Sequence, residues 1–474
     1  MHILFCSSEA YPFSKSGGLA DMASALPKII NQKGEKAIVI TPFYDALYDK
    51  IHSYTLIGSR EIQIQDLFYK ANYYETYYDG VTYIFVENEG FFKRANYYGY
   101  YDDDKRFLFF SYAILEYIQL TNQVFDLLHL NDWQTGLVPF LLDDIYRVHP
   151  LFRNIKTLLT IHNLEYQGSF PKDAHKLINR PFTYAYIHFD RMNYLKAGIM
   201  RANHINTVSP TYKEEVQYDY YGFTLDGALK SRINQFSGIL NGIDYDIYNP
   251  ETDPLIEQNF NSKHFTSAKK KNKLALLKKL NLDMSTDTAL VAYIGRLAKQ
   301  KGIDLMMATL EEAIAESTAK FVFIGSGDPL YEDFFRKLQD KYRNRVYSFI
   351  GFNNTLAHQL YASADILMMP SQFEPCGLGQ LMAMRYGCLP LVRETGGLKD
   401  TVMPYNKYTK EGHGFSFANY NAHELKQVLL DSILLYANNP DDWKVLVKNA
   451  MKQDHSLDQM GLEYLALYQN ILQS

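Results

Sequence analysis

Three cations in this sequence stand beside glycines at points where a buried-looking run gives way to a helical pattern. The first is Lys15, in Lys15-Ser16-Gly17-Gly18-Leu19. Glycines let backbone N–H groups approach an anion, a helix start adds partial positive charge and Lys15 adds a full one, so the turn suits a phosphate. An ordinary strand-to-helix turn uses the same residue types. The other two are Arg296 and Lys301, in Gly295-Arg296-Leu297-Ala298-Lys299-Gln300-Lys301-Gly302. Ligands of parallel sheets bind outside the carboxyl ends of the strands, and Arg can bond two oxygens at once, so this pair reads as a diphosphate clamp.

One further cluster suits a sugar, and another stands at the carboxyl ends of strands where ligands bind. Glu374, in Ser371-Gln372-Phe373-Glu374-Pro375-Cys376-Gly377-Leu378-Gly379-Gln380, is an acceptor for sugar hydroxyls, and N–H groups from Gly377 onward can meet an anion. Cys376 has no neighbouring base in a recognisable pattern, so it reads as a small packing residue rather than a thiol nucleophile. His162, in Thr160-Ile161-His162-Asn163-Leu164, and Asp132, before Trp133, each follow an apolar run.

The elements that must position these groups alternate. Apolar runs at 2–8, 37–40, 81–86, 127–130 and 157–161 are separated by helical patterns, the first with Leu19, Met22, Ala23, Leu26 and Ile29 on one face. The same grammar restarts with runs at 289–294, 321–324, 366–369 and 389–392. The pattern predicts an α/β fold of two Rossmann-like, doubly wound domains facing across a cleft that holds the active site. The expected boundaries are 1–244, with the C-terminal helix at 455–474 crossing back to it, and 245–454. Tyrosine clusters such as Tyr73-Tyr74 and Tyr77-Tyr78 read as half-buried strand and loop packing. Lys269, Lys270, Lys271, Lys273, Lys278 and Lys279 read as the wet face of an amphipathic helix.

Composition narrows the class. A chain of 474 residues with 15% aromatics is folded, and cores rarely grow past roughly 250 to 300 residues, which also favours two domains. A net charge of −5 offers no broad basic field, so nucleic acid is not an expected partner. No apolar run reaches the roughly 18 to 20 residues of a membrane span, and residues 1–6 do not form a secretory signal, so a cytoplasmic chain with no membrane partner is expected. Cys6, Cys376 and Cys388 are too few for a disulfide framework and lack metal-ligand spacing. No metal or other cofactor is expected.

The motifs together resemble the bacterial glycogen synthase and plant starch synthase family, retaining glucosyltransferases of the two-domain GT-B fold. The likeness runs through Lys15-Ser16-Gly17-Gly18-Leu19-Ala20-Asp21, Asn131-Asp132-Trp133, Thr160-Ile161-His162-Asn163-Leu164, Asn241-Gly242-Ile243-Asp244, Gly295-Arg296-Leu297 with Lys301-Gly302, Phe373-Glu374-Pro375-Cys376-Gly377-Leu378 and Glu394-Thr395-Gly396-Gly397-Leu398. It implies transfer of glucose from ADP-glucose to the non-reducing end of glycogen or another α-1,4-glucan. By that resemblance the catalytic residues are His162, Glu374, Arg296 and Lys301. Substrate binding falls to Lys15, Gly17, Gly18, Asp21, Asp132, Asn163, Asn241, Phe352, Cys376, Gly377, Leu378 and Gly379. Phe352 takes the place of a Tyr that stacks on adenine. Gly379, Gln372 and His413 depart from the family pattern and bear on substrate placement. Entry into the first strand without a preceding segment favours the bacterial rather than the plant branch.

Retention in glycosidases uses two carboxylates flanking the bond. Only Glu374 offers itself here, and the family is thought to let the departing phosphate take the acceptor's proton on the same face. Two other readings share these residues: an enzyme with a UDP-glucose donor or another glycan acceptor, and a glucan- or nucleotide-binding relative without catalysis.

Overall fold

The structure, a computed structural model, describes residues 1–178 and 183–474. It divides into two compact units: Met1–Val208, Lys213–Ile239 and Leu457–Ser474 form the first, and Ser209–Tyr212 with Leu240–Ser456 the second. The sequence pattern places the junction a few residues later, at 244/245.

In the first unit the described strands are β1 (His2–Cys6), β2 (Lys36–Pro42), β3 (Thr55–Ile64), β4 (Leu67–Tyr78), β5 (Val81–Glu87), β6 (Leu127–Asn131), β7 (Lys156–Ile161), β8 (Ser169–Pro171), β9 (Ile187–His188), β10 (Arg191–Asn193), β11 (His204–Thr207) and β12 (Phe236–Gly238). The main sheet runs β12-β11-β7-β6-β1-β2-β5-β4-β3. Its centre is parallel: β1 pairs β2 and β6, and β7 pairs β6 and β11. Ile3, Leu4, Phe5 and Cys6 are fully buried, as expected of a strand covered on both faces. The edge departs from the expected parallel sheet, because β3, β4 and β5 form an antiparallel meander. Tyr73 in β4 is buried and donates to the Ala113 carbonyl at 2.9 Å, so this tyrosine is packing.

Helix Gly18–Gln32 buries Ala20, Met22, Ala23, Leu26, Ile29 and Ile30. Helix Leu457–Gln473 belongs to the first unit and packs on it so closely that a Cβ on Gly461 would lie 2.3 Å from Ile29 Cγ2. Its Tyr468 hydroxyl is 2.7 Å from His129 Nδ1 in β6, and His129 Nε2 is 2.8 Å from Thr160 Oγ1 in β7. The C-terminal helix thereby grips the two strands that carry Asp132 and His162 at their ends.

In the second unit, β13 (Leu290–Ile294), β14 (Lys320–Gly325), β15 (Val346–Ile350), β16 (Ile366–Met369), β17 (Leu389–Arg393) and β18 (Phe415–Phe417) form a parallel sheet in the order β15-β14-β13-β16-β17-β18. The lysine-rich helix Thr266–Lys279 corrects the expected wet face. Lys269 is buried and donates to the carbonyls of Ala362, Ala364 and Tyr386 at 3.0–3.2 Å. Lys273 is buried against Asp365 at 2.7 Å. Only a packed environment rich in helix-end carbonyls makes such burial tolerable.

Candidate active site

In the first unit, β1 runs out into Ser7-Ser8-Glu9 and then the glycine turn. Glu9 is buried and accepts from the Ser16 backbone N–H, from Ser16 Oγ at 2.6 Å and from the Tyr98 hydroxyl at 2.6 Å. This carboxylate ties the turn down from beneath. Lys15 is exposed and paired with Asp21 at 2.6 Å. A Cβ on Gly17 or Gly18 would meet nothing within 4 Å, so packing does not demand glycine there. The space above these two N–H groups is left open to a ligand.

Asp132 and His162 come together at the ends of β6 and β7. The His162 N–H donates to Asp132 Oδ1 at 2.7 Å, and Asn163 adds a second backbone bond. Asp132 has φ 55° and ψ −172°, a region occupied almost only by glycine, which costs about 1–3 kcal/mol and persists where the surroundings enforce it. Its N–H is fixed to the Thr160 carbonyl at 2.9 Å. Burial raises its carboxyl to about 7, against the lowering effect of the two N–H donors. Burial also lowers His162 to about 4, so the imidazole is neutral near pH 7. Asn131 Nδ2 donates to the Cys6 carbonyl at 3.0 Å, which turns its Oδ1 toward His162 Nε2 at 2.9 Å. Nε2 therefore carries the proton and Nδ1 is left as an acceptor.

The Asp132 carboxyl binds its proton more tightly in the folded chain than in the unfolded one, where it titrates near 3.8. Its contribution to stability is complete below about pH 4 and falls as the pH rises through about 7. Asp132→Asn keeps the acceptor and has no proton to lose. It is expected to flatten the fall in Tm between about pH 5 and about pH 8, measured by scanning calorimetry; a slope equal to wild type would show that burial does not raise this carboxyl.

In the second unit, Lys301 Nζ lies 2.6 Å from Glu374 Oε2, and Ser371 Oγ donates to the same oxygen at 3.0 Å. Glu374 is buried while Lys301 is partly open. Gly302, at φ 73°, holds Lys301 in place: a Cβ there would lie 2.0 Å from the Pro370 carbonyl oxygen. Arg296 is exposed beyond β13 and donates to Gln300 Oε1 at 3.1 Å. The loop carrying Glu374 rests on the Gly396-Gly397 turn, where a Cβ would lie 1.9 Å from the Glu374 oxygen or 2.1 Å from the Cys376 oxygen. Arg393, buried at the end of β17, donates to the Gln372 carbonyl at 2.7 Å.

Burial pushes the Cys376 thiol up to about 12, so it stays protonated, as a packing residue does. Gly377 takes φ 74° and Leu378 precedes helix Gly379–Arg385. A Cβ on Gly379 would make only ordinary contact with Met369, so this departure from the family pattern carries no steric demand. The Asn241 backbone bonds the Cys376 thiol, and buried Asn241 Oδ1 and Gln380 Oε1 have no partner among the described residues. Phe352, after Gly351 at φ 144°, is 86% exposed. His413 is buried and lowered to about 4.

Matches to known proteins follow this division. The starch synthase catalytic domain family matches residues 2–231, and glycosyl transferases group 1 matches residues 278–453. Glycogen synthase of Acholeplasma laidlawii is 54% identical over all of this chain and 99% of its own length. The chain belongs to the glycogen synthase and starch synthase family. A glycogen synthase of Bacillus cereus is 43% identical over the whole of both chains. The catalytic domain of Arabidopsis thaliana starch synthase IV, solved with ADP and acarbose, matches at TM-score 0.90 and 32% identity, over 100% of this chain and 99% of that one. Sucrose-phosphate synthase from Thermosynechococcus elongatus, at 17% identity and TM-score 0.61 over 99% of each chain, shares the fold. This member of the glycogen synthase family is thus a glycosyltransferase of GT-B fold. No described helix is long and apolar enough to cross a membrane.

Glu9 and Arg393 escaped the sequence reading. Arg393 ends β17 and Glu9 lies three residues past β1, each just before a motif named above, Lys15-Ser16-Gly17-Gly18 for Glu9 and Glu394-Thr395-Gly396-Gly397 for Arg393, and that adjacency was the available signal.

Proposed function

We propose that this glycosyltransferase moves glucose from ADP-glucose to the non-reducing end of an α-1,4-glucan such as glycogen, with retention, in the cytoplasm. The observation that carries the reading is the Lys301–Glu374 pair beside Arg296 in a chain 54% identical to a glycogen synthase. The ADP in the starch synthase IV structure supports an ADP-sugar donor. In this proposal residues 245–454 bind the nucleotide sugar and residues 1–244 handle the acceptor.

Breaking the anomeric C–O bond leaves positive charge on the sugar and an electron pair on the diphosphate oxygen. Arg296 and Lys301 stabilise that oxygen. Oxygen Oε2 of Glu374 is already committed to Lys301 and Ser371. That supports Glu374 as a group that orients Lys301 and bonds sugar hydroxyls through Oε1, rather than as an attacking nucleophile. A neutral His162 adds no charge against the cationic sugar, and its Nδ1 accepts a hydrogen bond from a sugar hydroxyl without taking the proton. The acceptor hydroxyl attacks from the face the phosphate leaves and passes its proton to the departing phosphate. A glucosyl adduct trapped on Glu374 would refute this course.

The reaction is tested by feeding labelled ADP-glucose and glycogen and digesting the product with β-amylase, which removes maltose from non-reducing α-1,4 ends. Labelled maltose is expected; label resistant to digestion would contradict the linkage and retention. Stacking of Phe352 on adenine predicts that Phe352→Ala raises KM for ADP-glucose about tenfold with little change in kcat, since such stacking contributes about 1–3 kcal/mol. An unaltered KM in steady-state assays would remove Phe352 from the donor site.

A further inference from the structure

Gln380 is fully buried in the first turn of helix Gly379–Arg385, and its side-chain amide faces back onto the loop that carries Glu374. Its Nε2 donates to the Cys376 and Gly377 carbonyls at 3.1 Å each and reaches Thr401 Oγ1 at 3.2 Å. The amide cannot be turned over, because Oε1 would then face two carbonyl oxygens. Thr401 gives its own proton to the Gly397 carbonyl at 2.6 Å, so it accepts from Gln380. One amide thus joins the peptides at 376–377 to the glycine turn on which the Glu374 loop rests. On its other side Oε1 has no donor among the described residues and lies against Gly377, where a Cβ would come within 2.5 Å of it. The carbonyls it serves are what set the amide's orientation.

A trans peptide is planar, so each N–H points opposite to the carbonyl in its plane. Holding the Cys376 carbonyl toward Gln380 turns the Gly377 N–H away from it, and holding the Gly377 carbonyl turns the Leu378 N–H the same way. Gly377 is left-handed at φ 74° and Leu378 right-handed at φ −119° and ψ −26°, a pairing whose successive N–H groups converge on one anion. Neither N–H has an acceptor among the described residues. We propose that Gln380 is a positioning residue, which aims these two N–H groups together at the diphosphate of the nucleotide sugar. The proposal rests on the nucleotide-sugar donor of the preceding section.

The test is calorimetric titration of the full chain with ADP, for wild type, Gln380→Met and Gln380→Glu, between about pH 6 and about pH 9. Methionine keeps the length and has no donor, so the peptides are free to turn, and ADP affinity should fall about tenfold for each N–H that turns away. Glutamate supplies a signature that a packing role would not move. Protonated, it donates to one carbonyl; ionised, it repels both. Its ADP affinity relative to wild type should therefore fall at least about tenfold as the pH rises and the buried carboxyl loses its proton. ADP affinity equal to wild type in both variants at every pH overturns the proposal, and so does a Gln380→Met protein that melts early but binds ADP normally while folded. Affinity that follows Gln380 in an enzyme that transfers no glucose supports the positioning role and contradicts the reaction. Normal ADP affinity in both variants of an active enzyme contradicts the positioning role alone.

Discussion

Lys301→Ala is expected to lower kcat by at least about 10²- to 10³-fold, and Arg296→Ala to do the same, because in the proposed reaction each removes a donor to charge that develops as the diphosphate leaves. That is about 2.7–4 kcal/mol of barrier per donor. The two losses have different side effects. The Arg296 side chain is exposed and among the described residues bonds Gln300 alone, so its truncation should leave Tm within about a degree of wild type. Lys301 is the counter-ion of a buried carboxylate, so Lys301→Ala strands Glu374 and should also cost stability. Lys301→Ala combined with Glu374→Gln removes the stranded charge. It should recover Tm and leave kcat low. Rate constants from steady-state assays with saturating donor, beside calorimetry, separate the effects. Turnover at the wild-type rate in either single variant would remove that cation from the mechanism.

Gly397→Ala should be nearly as damaging without touching a charged group. The new Cβ would sit 2.1 Å from the Cys376 carbonyl oxygen, a backbone atom that cannot rotate away, so the loop from Glu374 to Cys376 must shift. Overpacking of this kind typically costs about 1–3 kcal/mol, and a misplacement of about 1 Å can cost roughly 10² in rate. Gly17→Ala is the internal contrast: its Cβ meets nothing, so Tm should be unchanged, and any loss should appear in donor KM. Circular dichroism melts and KM for ADP-glucose check both. A Gly397→Ala enzyme with native Tm and native kcat would mean that the turn does not position Glu374.

What the sequence disclosed and what it hid have the same physical cause. Runs such as Ile3-Leu4-Phe5-Cys6 and Ile366-Leu367-Met368-Met369 announce buried parallel strands, because a strand covered on both faces has no polar alternation to dilute its signal. Residues immediately after those runs are legible as candidates, which is why His162 and Asp132, or Lys301 and Glu374, can be named without their contacts. Contacts between distant segments are not legible. Nothing local to Glu9 says that Ser16 and Tyr98 will cover it, and nothing local to Gly397 says that Cys376 lies against it. The lysine-rich helix misleads for the same reason. Periodicity places Lys269 and Lys273 on a face, but only the tertiary fold brings carbonyls and Asp365 to that face. Long, exposed-looking β3 and β4 carry too many polar residues to read as part of the main sheet.

The measurement that bears most directly on the account is glucose incorporation into glycogen from labelled ADP-glucose and labelled UDP-glucose in parallel, with wild type and Arg296→Ala. The account predicts that wild type labels glycogen strongly from ADP-glucose and weakly from UDP-glucose, and that Arg296→Ala loses at least about 99% of that rate. Labelling from UDP-glucose alone, or none from either donor by a protein that still binds ADP-glucose, would contradict it.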